Sequence, residues 1–305
     1  MEEKSSKGKF DSFEALPVQS LTLDQLEQTH RENYPDGSPV GGIYHFDLIH
    51  RILDMLDEKH LEWNIKEIFA ANNKFKRSPG VTILPEVEKI NGVGSLESHI
   101  LRRVFCNINI MGGLATEEMT YNIAVSYTQY GILVGFGPYV FACHNQCICS
   151  ADSVISNYTL RGRDRLSSLD RQTESLLSMI EHNISILPKR YDEDINSLNW
   201  LKDIILTEAE IMQFIGFLVQ ERCRCTSPNP LVRENRVAPL DSAQINSFCE
   251  KILETAAGQV PSAFDLYQIG TNMMKPAVMP FENLCPQSFA LFDSLKNYIQ
   301  RIHGI

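Results

Sequence analysis

The amino-acid sequence predicts an α+β protein: a central antiparallel sheet, preceded by a helix and followed by a mainly helical C-terminal half. Three changes of period along the chain carry this. Apolar residues fall at helical spacing over roughly 46–60, alternate with polar ones between about 63 and 143, and return to helical spacing from about 166. Helix, then strands, then helices is the order expected of segregated α+β layers rather than of alternating βαβ units.

Residues 1–30 mix charge, Ser and Gly with little periodicity and are expected to form a flexible leader. Pro35-Asp36-Gly37-Ser38-Pro39 is a dense turn signal. After it, Ile49, Ile52, Leu53 and Leu56 mark an amphipathic helix. Trp63, Ile65 and Phe69 then suggest a strand, and Val81 with Ile83 another. Val104, Cys106, Ile108 and Ile110 alternate with Asn107 and Asn109. Met119, Tyr121, Ile123, Val125 and Tyr127 alternate with Thr120, Asn122, Ala124, Ser126 and Thr128, the pattern of a half-buried antiparallel strand. Tyr130-Gly131 can turn the chain into a hairpin partner over Ile132 to Phe136, and Gly135, Gly137 and Pro138 predict a bulge or bend in that return strand.

Leu169, Leu176, Leu177, Ile180, Ile184 and Leu187 share one face of a long helix that Pro188 is expected to end. Ile195, Leu198, Leu201 and Ile205 define the next. Thr207-Glu208-Ala209-Glu210 is a capping box, and Ser262 and Asp241–Gln244 are further caps. Phe292, Leu295, Ile299 and Ile302 set a last helix over about 287–302, with Gly304 as its stop. The expected organisation is a leader over 1–30, an α+β core over 31–225, and a helical region over 226–305 packed on the same core.

Hydrophobic residues make up 43% and charged residues 22% of 305, an ordinary globular balance. A net charge of −10 disfavours attachment to nucleic acid or anionic membrane by bulk charge, and leaves a local basic stripe open. No apolar run approaches the roughly 18–20 residues of a spanning helix, so no membrane partner is expected. The charged opening Met1–Phe10 is unlike a secretory signal, which predicts a cytoplasmic protein with reduced cysteines.

Phosphate-binding, zinc-protease and serine-hydrolase signatures are absent. The densest set of potential ligands is Cys143-His144-Asn145-Gln146-Cys147-Ile148-Cys149. Cys143 and Cys147 have the spacing of half a zinc site, with Cys223 and Cys225 as the candidate second half, although Cys-x-Cys is an unusual chelate. The competing expectation, which is favoured, is that the thiols are buried and the polar side chains tie down irregular backbone. A second candidate surface is basic: Arg102, Arg103, Arg161, Arg163, Arg165 and Arg171, with Tyr158 among them, could hold a phosphate backbone and stack bases. Ion pairs with Asp152, Asp164 and Asp170 on a solvated surface are the plainer reading and, in an acidic chain, the favoured one for these residues.

Several runs together resemble one family. They are Leu101-Arg102-Arg103-Val104-Phe105, Glu118 to Gln129, Gly135-Phe136-Gly137-Pro138, Cys143-His144-Asn145-Gln146-Cys147 with Asp152 and Asn157-Tyr158, and Asp265-Leu266-Tyr267-Gln268 with Gly270-Thr271 and Lys275. The chain resembles, over about 30–300, the bacterial domain of unknown function 3871, itself similar to the broader phage/plasmid-like domain of unknown function 932. In the broader family the central Cys is followed by Asn or Thr-Asn, whereas here it reads Cys-His-Asn-Gln-Cys. The resemblance implies a setting in bacterial phages, plasmids or conjugative elements and brings no cofactor or catalytic residue. It marks Cys143, His144, Asn145, Gln146, Cys147, Asp152 and Asn157 as family-signature positions. The expectation is therefore a non-enzymatic accessory protein, with no cofactor, that binds DNA or a protein of a mobile element. A metalloprotein or enzyme built on Cys143, His144 and Cys147, with zinc, is the alternative.

Overall fold

A computed structural model describes residues 19–29, 43–71, 103–128, 131–141, 145–158, 169–231, 233–234, 236–256, 261–274 and 284–304. Strand β1 (Gln19–Ser20) and helices α1 (Leu23–Thr29) and α2 (His45–Glu58) come first. Strands β2 (Trp63–Ala71), β3 (Arg103–Ala115), β4 (Met119–Thr128) and β5 (Gly131–Val140) follow. After them come β6 (Asn145–Gln146), a 3-10 turn at Ala151–Ser153, and β7 (Val154–Tyr158). Helices α3 (Leu169–Ser185), α4 (Leu187–Asp203), α5 (Glu208–Thr226), α6 (Ser242–Ala256), α7 (Ala263–Asn272) and α8 (Leu284–His303) complete the chain. This is the α+β arrangement the sequence predicts.

The sheet is an antiparallel meander in the order β1-β2-β3-β4-β5. Beyond β5 the outer edge is shared: β6 pairs with Tyr139–Val140 and β7 with Gly131–Gly135. Pro138, which has no N–H to donate, lies in the interval between those two partners, and its carbonyl accepts from Cys147 N at 2.7 Å. One face of the sheet follows the predicted alternation. Cys106, Ile108, Tyr121, Ile123, Val125, Ile132, Val134 and Phe136 pack against Leu48, Ile49, Ile52 and Leu56 of α2 and Leu176, Ile180 and Ile184 of α3. Each such aliphatic side chain stabilises the fold by about 1.5–3 kcal/mol through burial.

The opposite face departs from the expectation of a half-buried sheet. Asn107, Asn109, Thr120, Asn122 and Ser126 are buried, and every residue of β5 is buried as well. Some of the amide groups there pair across strands, while Ser126 Oγ is buried without a partner among the described residues. Asn107 Nδ2 donates to Glu67 Oε1 at 2.6 Å, and Asn122 Nδ2 donates to Asn109 Oδ1 at 2.9 Å. Alternation correctly separated the two faces but could not show that both are covered.

The predicted bulge at Gly135 and Gly137 is also corrected. β5 pairs with β4 over ten consecutive residues, Gly131 to Val140, without a register shift. The glycines serve closeness instead. A Cβ on Gly137 would overlap the Cys147 carbonyl, and one on Gly135 would overlap the Cys285 side chain. The real irregularities lie in β2, between Ile65 and Glu67, and in β3, between Ile110 and Ala115, where Gly112 adopts φ 71°.

Pro188 opens α4 rather than ending the preceding helix, which stops at Ser185; its missing N–H costs nothing in a first turn. The capping expectations hold. Thr207 with Glu210 and Ser262 with Asp265 form reciprocal boxes, and Asp241 and Gln244 exchange backbone-to-side-chain bonds at 2.8 Å. Helices α4 to α8 share one core of Leu198, Phe214, Phe248, Tyr267, Phe292 and Tyr298, which crosses residue 225 without interruption. Met119, Val140 and Cys147 join that core, so the helical half abuts the end of the sheet where β4 begins and β5 finishes. The strand over Val81–Ile83 and residues 1–18 of the leader lie outside the described residues.

Gly137→Ala is expected to destabilise the protein by roughly 1–3 kcal/mol, because backbone cannot move aside as a flexible side chain does. Gly113→Ala, with open space around its Cβ position, should cost far less. Urea unfolding of the two variants checks this.

Candidate functional site

The cysteine-rich segment is a strap laid across β5. Gln146 and Cys147 leave the short β6 pairing, and the next backbone amide, Ile148 N, is held by Tyr267 Oη at 3.0 Å and Ser288 Oγ at 3.2 Å. Tyr267 and Ser288 hydroxyls lie 2.9 Å apart, and Ser288 Oγ donates to the Gln146 carbonyl at 3.1 Å. Gln268 Nε2 donates to Cys147 Sγ at 3.2 Å. Irregular backbone buried between sheet and helices needs such partners, since an unmet amide costs about 1–3 kcal/mol. Burial pushes the Tyr267 hydroxyl and the Cys149 thiol well up, and Cys285 up to about 12, so these groups stay protonated. A protonated, enclosed thiol is a poor nucleophile and a poor metal ligand.

Beside the strap sits the one strongly perturbed carboxylate among the described residues. Asp194, on the buried side of α4, is 4% exposed and accepts from Tyr121 Oη at 2.9 Å. Burial raises its pKa from 3.8 to about 6; the Tyr121 hydrogen bond and the Arg190 charge oppose the rise without cancelling it. Arg190 Nη1 in turn donates to Ser153 Oγ at 2.8 Å, which ties α4 to the turn before β7. Tyr191 stacks edge-on against Tyr121 at 6.2 Å between centroids. The cluster therefore fastens the helical half to the sheet.

Among the described residues the candidate metal ligands are not gathered. Cys147 is buried against Gln268, whereas Cys223 is exposed and Cys225 buried on opposite sides of α5. Beside them, buried Glu221 is paired with Arg224 at 3.4 Å and with Arg236, which closes the proline-rich loop onto α5. No group of three or more His, Cys, Asp or Glu among the described residues could hold a metal ion. Cys143 and His144 lie outside the described residues.

The basic candidates distribute differently. Strand register sets Ala71 opposite Arg103, Val104 opposite Tyr127, Thr128 opposite Gly131, and Gly131 opposite Tyr158. Arg103 and Tyr158 thus lie in one row across β3, β4, β5 and β7, about 14 Å apart at the usual strand spacing. The row is at the end of the sheet away from Met119, Val140 and the helical half. Helix α3 packs on β7 and leads into Arg190, which reaches Ser153 at the start of that strand. Its first turn, carrying exposed Arg171, is consequently toward the Tyr158 end. Asp152 is exposed in the 3-10 turn, and among the described residues neither it nor Arg171 forms an ion pair. A cation in a first helical turn opposes the helix dipole by about 0.3–1 kcal/mol, so Arg171 is not placed there for helix stability. Arg102, Arg161, Arg163 and Arg165 lie outside the described residues; Asn145 and Asn157 are located only as strand positions in β6 and β7.

Sequence reasoning missed Asp194, Tyr121, Tyr267 and Ser288. A lone Asp in a polar helix gives no sign that it is buried, and the two tyrosines look like ordinary core residues. Among the described residues no helix is long and apolar enough to cross a membrane. Comparison of the chain with protein families, curated proteins and solved structures finds no match in any of the three. The family resemblance thus stands on the quoted motifs alone.

Asp194 makes stability depend on pH in a definite direction. Its pKa is higher folded than unfolded, so its favourable contribution is complete below about pH 4 and is lost as pH rises through about 6. The loss is roughly 3 kcal/mol at about 1.4 kcal/mol per pH unit. Asp194→Asn keeps an acceptor for Tyr121 and should flatten the stability profile between pH 4 and 6, measured by urea midpoints across that window. Separately, Tyr267→Phe strips Ile148 N of its shorter hydrogen bond and should cost about 1–3 kcal/mol, read from the same unfolding curves.

Proposed function

We propose that this protein is a non-enzymatic accessory factor that binds nucleic acid at the end of its sheet remote from the helical half. The supporting observation is the row that joins Arg103 to Tyr158, with the first turn of α3, which carries Arg171, toward the same end of the sheet on its other face. Arg102 adjoins that row in sequence, and Arg161, Arg163 and Arg165 follow Tyr158 within seven residues. Guanidinium groups pair with phosphate oxygens in a fixed fork, and a tyrosine ring supplies a face on which a base stacks.

The remainder of the chemistry agrees with binding rather than turnover. The perturbed carboxylate is spent on fastening α4 to the sheet, and the described thiols with raised pKa are held neutral by burial. In a chain of net charge −10, a basic end would orient the encounter with a polyanion. On the family resemblance, the proposed role is set in the cytoplasm of bacteria that carry phage, plasmid or conjugative elements. A protein of such an element is the partner to consider if nucleic acid fails.

Fluorescence anisotropy with single- and double-stranded oligonucleotides over a salt series tests the proposal. Affinity should fall linearly on a log–log plot against salt, and Arg103→Ala and Arg171→Ala should each weaken binding and lower the slope by about one. Absence of binding at the lowest salt overturns the nucleic-acid reading.

A further inference from the structure

Helix α5 carries two apolar stripes on opposite sides. The inner one, Ile211, Phe214 and Leu218, is buried in the helical core. The outer one runs Ala209, Met212, Gly216, Val219, Cys223, with steps of three, four, three and four residues, and all five are exposed. Met212 is 58% and Val219 43% exposed, and nothing lies within 4 Å of the position a Cβ on Gly216 would take. A helix apolar on both sides is ordinarily covered on both. The three–four repeat is the seam of a two-helix pair, and the small residues Ala209, Gly216 and Cys223 recur along it every seven positions, which permits close approach of a second backbone.

The edges of the seam say what covers it. One edge carries Glu208, Ile215 and Arg222, again seven residues apart; the other carries the uncharged Gln213 and Gln220. Among the described residues neither Glu208 nor Arg222 forms an ion pair. An antiparallel two-fold close to Ile215 and Gly216 places Glu208 of each copy beside Arg222 of the other, twice, while Ile215 meets its own counterpart. A parallel pair would instead lay this edge along the other copy's Gln213 and Gln220 edge, leaving Glu208 and Arg222 without an opposite charge. The complementarity is thus between the two ends of this same helix, and it selects one orientation.

We propose that the outer face of α5 is a self-association surface that takes α5 of a second copy of this chain, antiparallel, in a two-fold dimer. The surface belongs to the helical half and leaves the opposite end of the sheet free.

Sedimentation equilibrium of the full chain under reducing conditions, up to about 100 µM, tests this by mass action. A species of twice 34.6 kDa is expected. Gly216→Arg should raise the dissociation constant at least tenfold while leaving the far-UV spectrum and thermal midpoint of the monomer intact, because an exposed helical Gly is not needed for folding. Charge reversal reads the edges: Arg222→Glu should weaken the dimer, and combining it with Glu208→Arg should restore it. Orientation is read by oxidation. Ala209→Cys should cross-link to Cys223 of the second copy, whereas the unaltered chain should give no Cys223-to-Cys223 bond. A chain that stays monomeric, or a dimer indifferent to Gly216→Arg, overturns the proposal. Efficient Cys223-to-Cys223 cross-linking overturns the antiparallel arrangement.

Discussion

Strand β5 has no exposed residue, and everything around it is arranged to cover it at very short range. On one face α2 and α3 close over Ile132, Val134 and Phe136. On the other, two glycines let the Cys147–Ile148 backbone and the Cys285 side chain lie directly against the strand. That closeness removes water from the Ile148 amide and the Gln146 carbonyl, which then require Tyr267 and Ser288 as partners. The helices that carry Tyr267 and Ser288 are thereby fixed against the sheet, and the shared core of α4 to α8 follows from their position.

The sequence was informative where a local pattern decides structure and silent where distant parts meet. Alternation located β3 and β4, and Thr207, Asp241 and Ser262 each announced a helix start, because capping is settled within four residues. Gly135 and Gly137 were visible as exceptions in a strand, but a glycine that bends a chain and a glycine that admits a neighbour leave the same letter. Only the position of Cys147 and Cys285 distinguishes them. Likewise Asn107, Asn109 and Asn122 have the composition of a solvated face; their burial depends on what is laid over the sheet.

The candidate site shows the same division. Arg103 and Tyr158 are 55 residues apart in the chain, and only the register of four strands puts them in one row. The Cys147 segment could be singled out by composition, yet its role as a strap is carried by residues more than a hundred positions later. Asp194 had no local mark at all. Its significance comes from Tyr121, which reaches it from the far side of the sheet–helix junction.

The distance along the chain between the strap and its anchors has a consequence during synthesis. Tyr267 lies 119 residues and Ser288 140 residues beyond Ile148. The hairpins from β3 to β5 join neighbouring strands and can form as soon as they leave the ribosome, since short loops close quickly. The glycine face of β5, however, lacks its full cover until α8, which carries Cys285 and Ser288, has been made. For the time needed to add the intervening residues the nascent chain displays an apolar strand with incomplete cover, the kind of surface to which holding chaperones attach.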